Sequence, residues 1–297
     1  MSAFRAWGRR SAPVRCLLAL LFVLALGSAG IPSSAALEER GDVIRTAPRP
    51  NSYDDTVRQD KPAAYWAMSS PGAGTEKDLV GKLHGRYHGK PKRTTLPNGD
   101  TAADFDGTRQ YLQVRDAAAL SAATRGVLTI EAWMRPDTLD FRSQESSGYV
   151  HWMGKGEPRN HEYVARMYSA RNSEDRPNRI SGYAFNPSGG EGPGSYFQQP
   201  VRKGDWIHYV LVINANEKGG KYPHGYTKIY RNGKRMDQDD LEHDGTVVVP
   251  RRGSAPFRVG TRDLRSFFDG AVGKVAIYTR ELPAERIEQH YQVMTGR

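Results

Sequence analysis

Phe267-Phe-Asp-Gly-Ala-Val-Gly-Lys-Val-Ala-Ile-Tyr-Thr-Arg-Glu-Leu282, running on into Pro283-Ala-Glu-Arg-Ile-Glu-Gln-His-Tyr291, is the stretch whose reading decides the fold. It predicts a long strand followed by one closing amphipathic helix. Ile287, Tyr291 and Met294 recur at i, i+4 and i+7, the spacing of a single buried helical stripe. Pro283 suits the first helical turn, where its missing N–H costs nothing, and Glu285 favours the positive end of the helix dipole. Just upstream, Ala255-Pro-Phe-Arg-Val-Gly-Thr261 reads as a short strand.

Working outward, strand patterns dominate. Leu128, Ile130, Ala132 and Met134 face one way, and Val127, Thr129, Glu131, Trp133 and Arg135 the other, until Pro136 ends the run. Trp206 to Asn214 is apolar on both faces, which predicts a central strand. Tyr226 to Met236 reads as a hairpin, because Asn232-Gly233 supplies the two positive-φ positions of a type I′ turn. Asp106-Gly107, between Ala102–Phe105 and Gln110–Val114, suggests a second hairpin. Further strands are expected at Ala63–Met68, Arg86–His88, Tyr149–Gly154, Glu162–Tyr168, Arg179–Phe185, Ser195–Gln199 and Thr246–Pro250. About a dozen short strands, one closing helix and no internal repeat predict an all-β, antiparallel two-sheet sandwich.

The first residues are of another kind. Arg5, Arg9, Arg10 and Arg15 precede an apolar run from Cys16 to Ala29 and then small residues, the pattern of a signal peptide over residues 1–36. Residues 37–61 are polar, with Pro48 and Pro50 and no apolar periodicity, and are expected to be a disordered linker. Residues 62–297 are expected to form the domain. The protein is therefore expected to be exported and extracellular, with no membrane attachment after cleavage. Cys16 is the only cysteine, so the exported chain has no disulfide, no thiolate nucleophile and no cysteine-ligated metal. The 43 basic and 33 acidic residues, less four arginines in the signal, leave (43 − 4) − 33 = +6. That balance suits an anionic polysaccharide or plain solubility. No Lys/Arg run or nucleic-acid motif accompanies it, so nucleic acid is not an expected partner.

Six motifs, in order, carry a family resemblance. Ala63-Ala-Tyr-Trp, Ala103-Asp-Phe-Asp-Gly-Thr with Tyr111-Leu-Gln-Val, Thr129-Ile-Glu-Ala-Trp-Met-Arg-Pro, Gly204-Asp-Trp-Ile-His-Tyr-Val, Ile229-Tyr-Arg-Asn-Gly and the closing segment from Phe268 to Tyr291 resemble the laminin-G-like, or concanavalin-A-like, domains of secreted bacterial proteins. The resemblance implies a jelly roll. It also implies a place for structural calcium, held in many relatives by acids in three segments. Here those segments read Ser69-Ser70, Asp78-Leu-Val-Gly-Lys82 and Val272-Gly-Lys274. Calcium wants six to eight oxygen ligands, so these replacements count against it and no cofactor is expected. The acids from Asp237 to Asp244 lack the turn glycine and spacing of an EF-hand and are expected to be a solvated loop.

One constellation points to a ligand. His151 and Lys155, then Glu162, Arg166 and Tyr168, then Tyr183 and Asn186, lie on consecutive expected strands. Alternation puts Glu162, Arg166 and Tyr168 on one face. Aromatic rings together with Arg, Glu and Asn are what sugar recognition uses, rings against C–H faces and planar polar groups against hydroxyls. The plainer alternative is a solvent-facing sheet laced by ion pairs of the Glu162–Arg166 kind. The glycine-rich Gly189–Gly194 loop is a candidate cover, and Arg262, Asp263, Arg265 and Phe267 a candidate rim. His208 is expected to be a packed structural histidine. No pair of acids has glycosidase spacing, and no Gly-x-Ser-x-Gly or His-Glu-x-x-His occurs, so no catalytic or metal-binding residue is assigned. The reading is a monomeric module that binds glycan or cell-wall polysaccharide. A jelly-roll polysaccharide lyase or glycosidase, and a protein-interaction module, remain as alternatives.

Overall fold

The closing segment folds as its spacing predicts. In the computed structural model, which describes residues 52–297, Asp269–Tyr278 is a ten-residue strand. It lies at the middle of an eight-stranded sheet ordered Lys234–Asp240, Tyr226–Arg231, Ile207–Asn214, Val127–Pro136, Asp269–Tyr278, Thr101–Asp106, Lys92–Thr95, with Ala64–Trp66 also paired to it. A second eight-stranded sheet runs Gly194–Tyr196, Ile180–Ala184, Asn160–Tyr168, Tyr149–Glu157, Phe257–Val259, Tyr111–Val114, Gly85–His88, Thr75–Glu76. Pairing is antiparallel throughout both sheets, giving the expected jelly-roll sandwich.

The core between the sheets follows from alternation. Ile207, Tyr209, Leu211 and Ile213 point into it, against Trp66, Phe105, Trp152, Tyr163 and Phe257. The opposite face of the same strand carries Val210 and Val212, which belong to a smaller core on the outside of the first sheet. Both apolar faces of that strand are thereby used. Asn232 and Gly233 have φ of 54° and 81°, the two left-handed positions that the type I′ hairpin requires.

The described residues hold two α-helices, α1 (Tyr53–Gln59) and α2 (Ala284–Thr295), and both lie over that outer core. Ile287 and Met294 are buried on α2 as expected, but His290 takes the place expected for Tyr291, which is half-buried, and Pro283 stands at the N-cap, just before the first turn. Helix α1 corrects the expectation of a disordered linker over residues 52–60. Ser52 caps it by accepting from Asp55 N, and Tyr53, Thr56 and Val57 are buried. The polar sequence hid this because only one turn is apolar. Seven residues form a stable helix here through the packing of Tyr53 and Val57 onto the sheet. The expected signal peptide lies outside the described residues. Among the described residues, no helix is long and apolar enough to cross a membrane.

Two further expectations are corrected. Thr101–Asp106 and Tyr111–Val114 are not a hairpin, since they belong to different sheets. The Asp106 carboxylate accepts from the N–H groups of Thr108, Arg109 and Gln110, so the turn carries the chain across the sandwich. Asp237 to Asp240 extend an edge strand instead of forming a loop, and Asp237 accepts from Tyr196 N at 3.1 Å.

Candidate functional site

The outer face of the second sheet carries a cleft of about 510 Å³, lined by Tyr149, Arg166, Tyr168, Arg176 and Tyr183 among others. A side cavity of about 160 Å³ shares Tyr149 and Arg166 with it and reaches His151, Arg262 and Arg265. Register explains the assembly. His151 pairs with Arg166, Tyr149 with Tyr168, and Arg166 with Ser181, so these outward side chains stand side by side across three strands.

Arg166 is the centre. Its guanidinium carbon lies 4.0 Å from the Tyr149 ring centroid and 4.5 Å from that of Tyr183, a double cation–π contact. Its Nε donates to His151 Nε2 at 3.2 Å and its Nη1 to the Tyr168 hydroxyl at 3.3 Å. The hydroxyls of Tyr168 and Tyr183 are 2.8 Å apart, and Arg176 Nη1 also donates to Tyr168. Burial, then the neighbouring Tyr183, raise the Tyr168 pKa despite the opposing pull of Arg166, so this hydroxyl stays protonated.

His151 is buried, and burial followed by the charges of Arg262 and Arg166 pushes its pKa well below the usual histidine range. Because Nε2 accepts from Arg166, the neutral ring carries its proton on Nδ1, which sits 2.9 Å from Glu145 Oε1 with poor alignment for a hydrogen bond. Glu145 also accepts from Ser266 Oγ. Glu145, His151 and Asp263 have ligand atoms within 4.8 Å of one another, as a metal site would require. Their surroundings argue for another role. Arg262 is ion-paired to Asp263 at 2.6 Å, Arg265 lies 3.9 Å from Glu145, and Arg166 holds the free edge of His151. Three guanidinium groups around two carboxylates repel a divalent cation.

The structure thus brings together four of the seven residues expected at the site: His151, Arg166, Tyr168 and Tyr183. It separates the other three. Lys155 is fully buried and donates to Glu162, to Asp116 at 3.0 Å and to the Gly253 carbonyl at 2.9 Å. Glu162 completes that network by accepting from Ser121 Oγ at 2.5 Å and Gly253 N at 3.0 Å. The two are a structural ion pair at the end of the sandwich. The cause is a β-bulge between His151 and Met153, which turns Met153 into the core and Lys155 with it. Asn186 is a latch, donating to Val247 O at 3.0 Å and accepting from Val249 N at 3.2 Å.

Tyr149 begins a strand that the sequence places at the site, but it is not among the residues expected to meet the ligand; the structure puts its ring there. Sequence reasoning missed Arg176, Ser146, Ser147 and Glu174, which arrive on loops that no periodicity marks. Gly190 and Gly192 line the cleft, placing part of the glycine-rich loop at its edge. The segments that hold calcium in many relatives are internally bonded here. Asp78 accepts from the N–H groups of Tyr65, Val80 and Leu83. Lys274 Nζ lies 2.5 Å from Asp54 and 2.8 Å from Asp100.

A second buried cluster lies on the opposite sheet, beneath the helices. Glu131 accepts from the hydroxyls of Tyr53 and Tyr278, from His208 Nε2 at 2.7 Å and from His290 Nδ1 at 2.9 Å. His290 Nε2 lies 2.9 Å from Asp60. Every donor is closed in by α1 and α2, so the cluster fastens the helices to the sheet, and His208 is structural.

Residues 106–288, more than half of the chain, match the family profile of the concanavalin A-like lectin/glucanases superfamily. The chain belongs to this superfamily. A search of curated protein sequences gave no match. Among solved structures, the receptor binding domain of botulinum neurotoxin C/D mosaic serotype is similar to it, with a TM-score of 0.57 and 12% identity, over 78% of this chain and 51% of that one. Domain 4 of AbnA, an extracellular arabinanase from Geobacillus stearothermophilus solved with arabinotriose, gives 0.52 and 14%, over 78% and 98%. The botulinum neurotoxin serotype D ligand binding domain, solved with N-acetylneuraminic acid, gives 0.55 and 11%, over 80% and 52%. The chain spans about half the length of the neurotoxin domains it matches. At such identities the likeness concerns the lectin-like fold, and the cleft must speak for its own ligand.

Proposed function

We propose that this member of the superfamily is a secreted, non-catalytic, monomeric module that binds carbohydrate in the cleft of the second sheet. The observation that carries the proposal is the lining: Tyr149, Tyr168 and Tyr183 are clustered about one guanidinium in a single cleft, which Arg176 also lines. Rings offer apolar faces to the C–H side of a sugar, and hydroxyl and guanidinium groups satisfy its oxygens. The cleft has the volume of a small-ligand site. Two of the structurally similar domains were solved with a bound saccharide, which supports the reading by analogy. The signal-like residues 1–36 support secretion.

One candidate lyase base is disfavoured. A tyrosine base must ionise readily, whereas burial raises the pKa of Tyr168. A glycan array probed with the wild-type chain and with Tyr183→Ala and Arg166→Ala tests the proposal. Binding by the wild type and its loss in both variants is the expected result. Absence of binding to every glycan, or equal binding by all three proteins, would overturn it.

A further inference from the structure

The cleft holds a cation, Arg166, that makes no direct ion pair, although Glu174 and Glu191 also line the cleft. Among the described residues, Arg166 has no carboxylate oxygen within 4.0 Å. The other arginines of the two cavities are each near one: Arg176 at 3.9 Å from Glu174, Arg262 at 2.6 Å from Asp263, Arg265 at 3.9 Å from Glu145. Arg166 is partly buried, and both of its protein acceptors, the His151 ring nitrogen and the Tyr168 hydroxyl, are neutral. A guanidinium has five N–H donors in a fixed fork. Nε uses one and Nη1 one, so Nη2 and the second Nη1 hydrogen have no protein partner. Arg166 is one of the residues that line the cleft. A partly desolvated cation with a free fork is built to receive a planar or tetrahedral anion.

The neighbours hold that fork still. Tyr149 and Tyr183 lie against the guanidinium, which leaves it little freedom to swing out to solvent. His151, with its proton facing Glu145, must accept at Nε2 and so fixes the Nε corner. With Nε and one Nη1 hydrogen held by the protein, the remaining donors are free to meet a ligand in the cleft.

We infer that the saccharide this cleft takes is acidic, bearing a carboxylate or a sulfate ester, and that the open fork of Arg166 receives the anionic group. The inference rests on the carbohydrate reading above and narrows it. Two matched pairs test it by calorimetric titration of the full chain: an oligogalacturonate against the same oligomer methyl-esterified, and a sulfated galactan oligosaccharide against its desulfated form. The expected result is that the acidic partner of at least one pair binds about tenfold or more tightly than its neutral twin. Preference within the first pair assigns a carboxylate, and within the second a sulfate.

Arg166→Gln should abolish the preference and Arg166→Lys should reduce it, each checked for folding by thermal melting. If the glutamine variant does not fold, the lysine variant and the wild-type pairs decide. Equal binding within both pairs, binding to none of the four, or a preference that persists in a folded Arg166→Gln protein would overturn the inference. Equal binding within pairs leaves the carbohydrate reading standing. If none of the four binds, the glycan array decides that reading separately.

Discussion

Arg166 Nε donates to His151 Nε2 at 3.2 Å, so the central cation of the cleft is fixed by a neutral ring and not by a carboxylate. The arrangement requires His151 to stay unprotonated, which burial and the charges of Arg262 and Arg166 enforce. The folded pKa is depressed, so the unfolded chain takes up a proton below about pH 6.5 that the folded chain refuses. Stability should therefore fall as pH drops below that value.

His151→Leu should cost about 1–3 kcal/mol, because Arg166 Nε loses its acceptor, and should weaken ligand binding. His151→Gln, which presents one acceptor and one donor, should restore much of both. Urea unfolding and ligand titration of the two variants check this. Equal loss in both would mean that His151 fills space and positions nothing.

Glu131 and His290 link helix α2 to the sheet through a buried ion pair. Burial alone would lower the His290 pKa, yet Glu131 and Asp60 together raise it. Its contribution is complete below about pH 6.5 and is lost as pH rises through the elevated folded value. Burial would likewise raise Glu131, but His290 and His208 hold it well below the carboxylate range, so its contribution is lost only in acid. Glu131→Ala should cost about 3–5 kcal/mol, since it leaves buried donors and a buried cation unpaired. Urea unfolding at pH 5, 7 and 9 should show the wild type losing stability toward pH 9 by an increment that is absent in His290→Gln.

Helix α1 is part of the domain, so a chain beginning at residue 62 should be less stable than one beginning at residue 50. Tyr53 and Val57 are buried, each worth about 1.5–3 kcal/mol before the opposing cost of ordering the helix, so the deficit should be about 1–3 kcal/mol. Differential scanning calorimetry of the two chains measures it, and indistinguishable melting temperatures would contradict the role given to α1.

Asp104 carries a fault that can be repaired. Burial, then the adjacent Asp137, raise its pKa to about 6. Between the ordinary carboxylate value near 4 and the folded value of about 6 the folded chain keeps a proton that the unfolded chain gives up, so the penalty grows across that window and is complete above about 6. Asp104→Asn should stabilise the protein at pH 8 by about 1 kcal/mol, after allowing for solvent screening of a half-buried group. The gain should disappear by pH 4, which thermal melting at both values checks.

The fold was legible because its strongest signals are local. The two apolar faces of Ile207–Asn214, the Asn232-Gly233 turn and the stripe of α2 each depend on near neighbours in sequence. What escaped depends on distant ones. Helix α1 owes its stability to the sheet beneath it, and the Asp106-Gly107 turn is a crossover only because its two strands belong to different sheets. In the site, alternation correctly grouped Arg166 with Tyr168. It misplaced Lys155 because a single-residue bulge reverses the faces of everything after it, and no residue type announces a bulge in advance. Glu162 went wrong at a second irregularity, where the register passes from Lys155–Tyr163 to Gly156–His161 and leaves Glu162 unpaired. Arg176 arrives from a loop, where alternation has no meaning.

An NMR titration of backbone amides with the strongest glycan from the array tests the central claim most directly. The account predicts shifts concentrated on Tyr149, His151, Arg166, Tyr168 and Tyr183, with the helix-covered sheet unaffected. Shifts concentrated around α1, α2 and Glu131, or no shifts at saturating glycan, would contradict it.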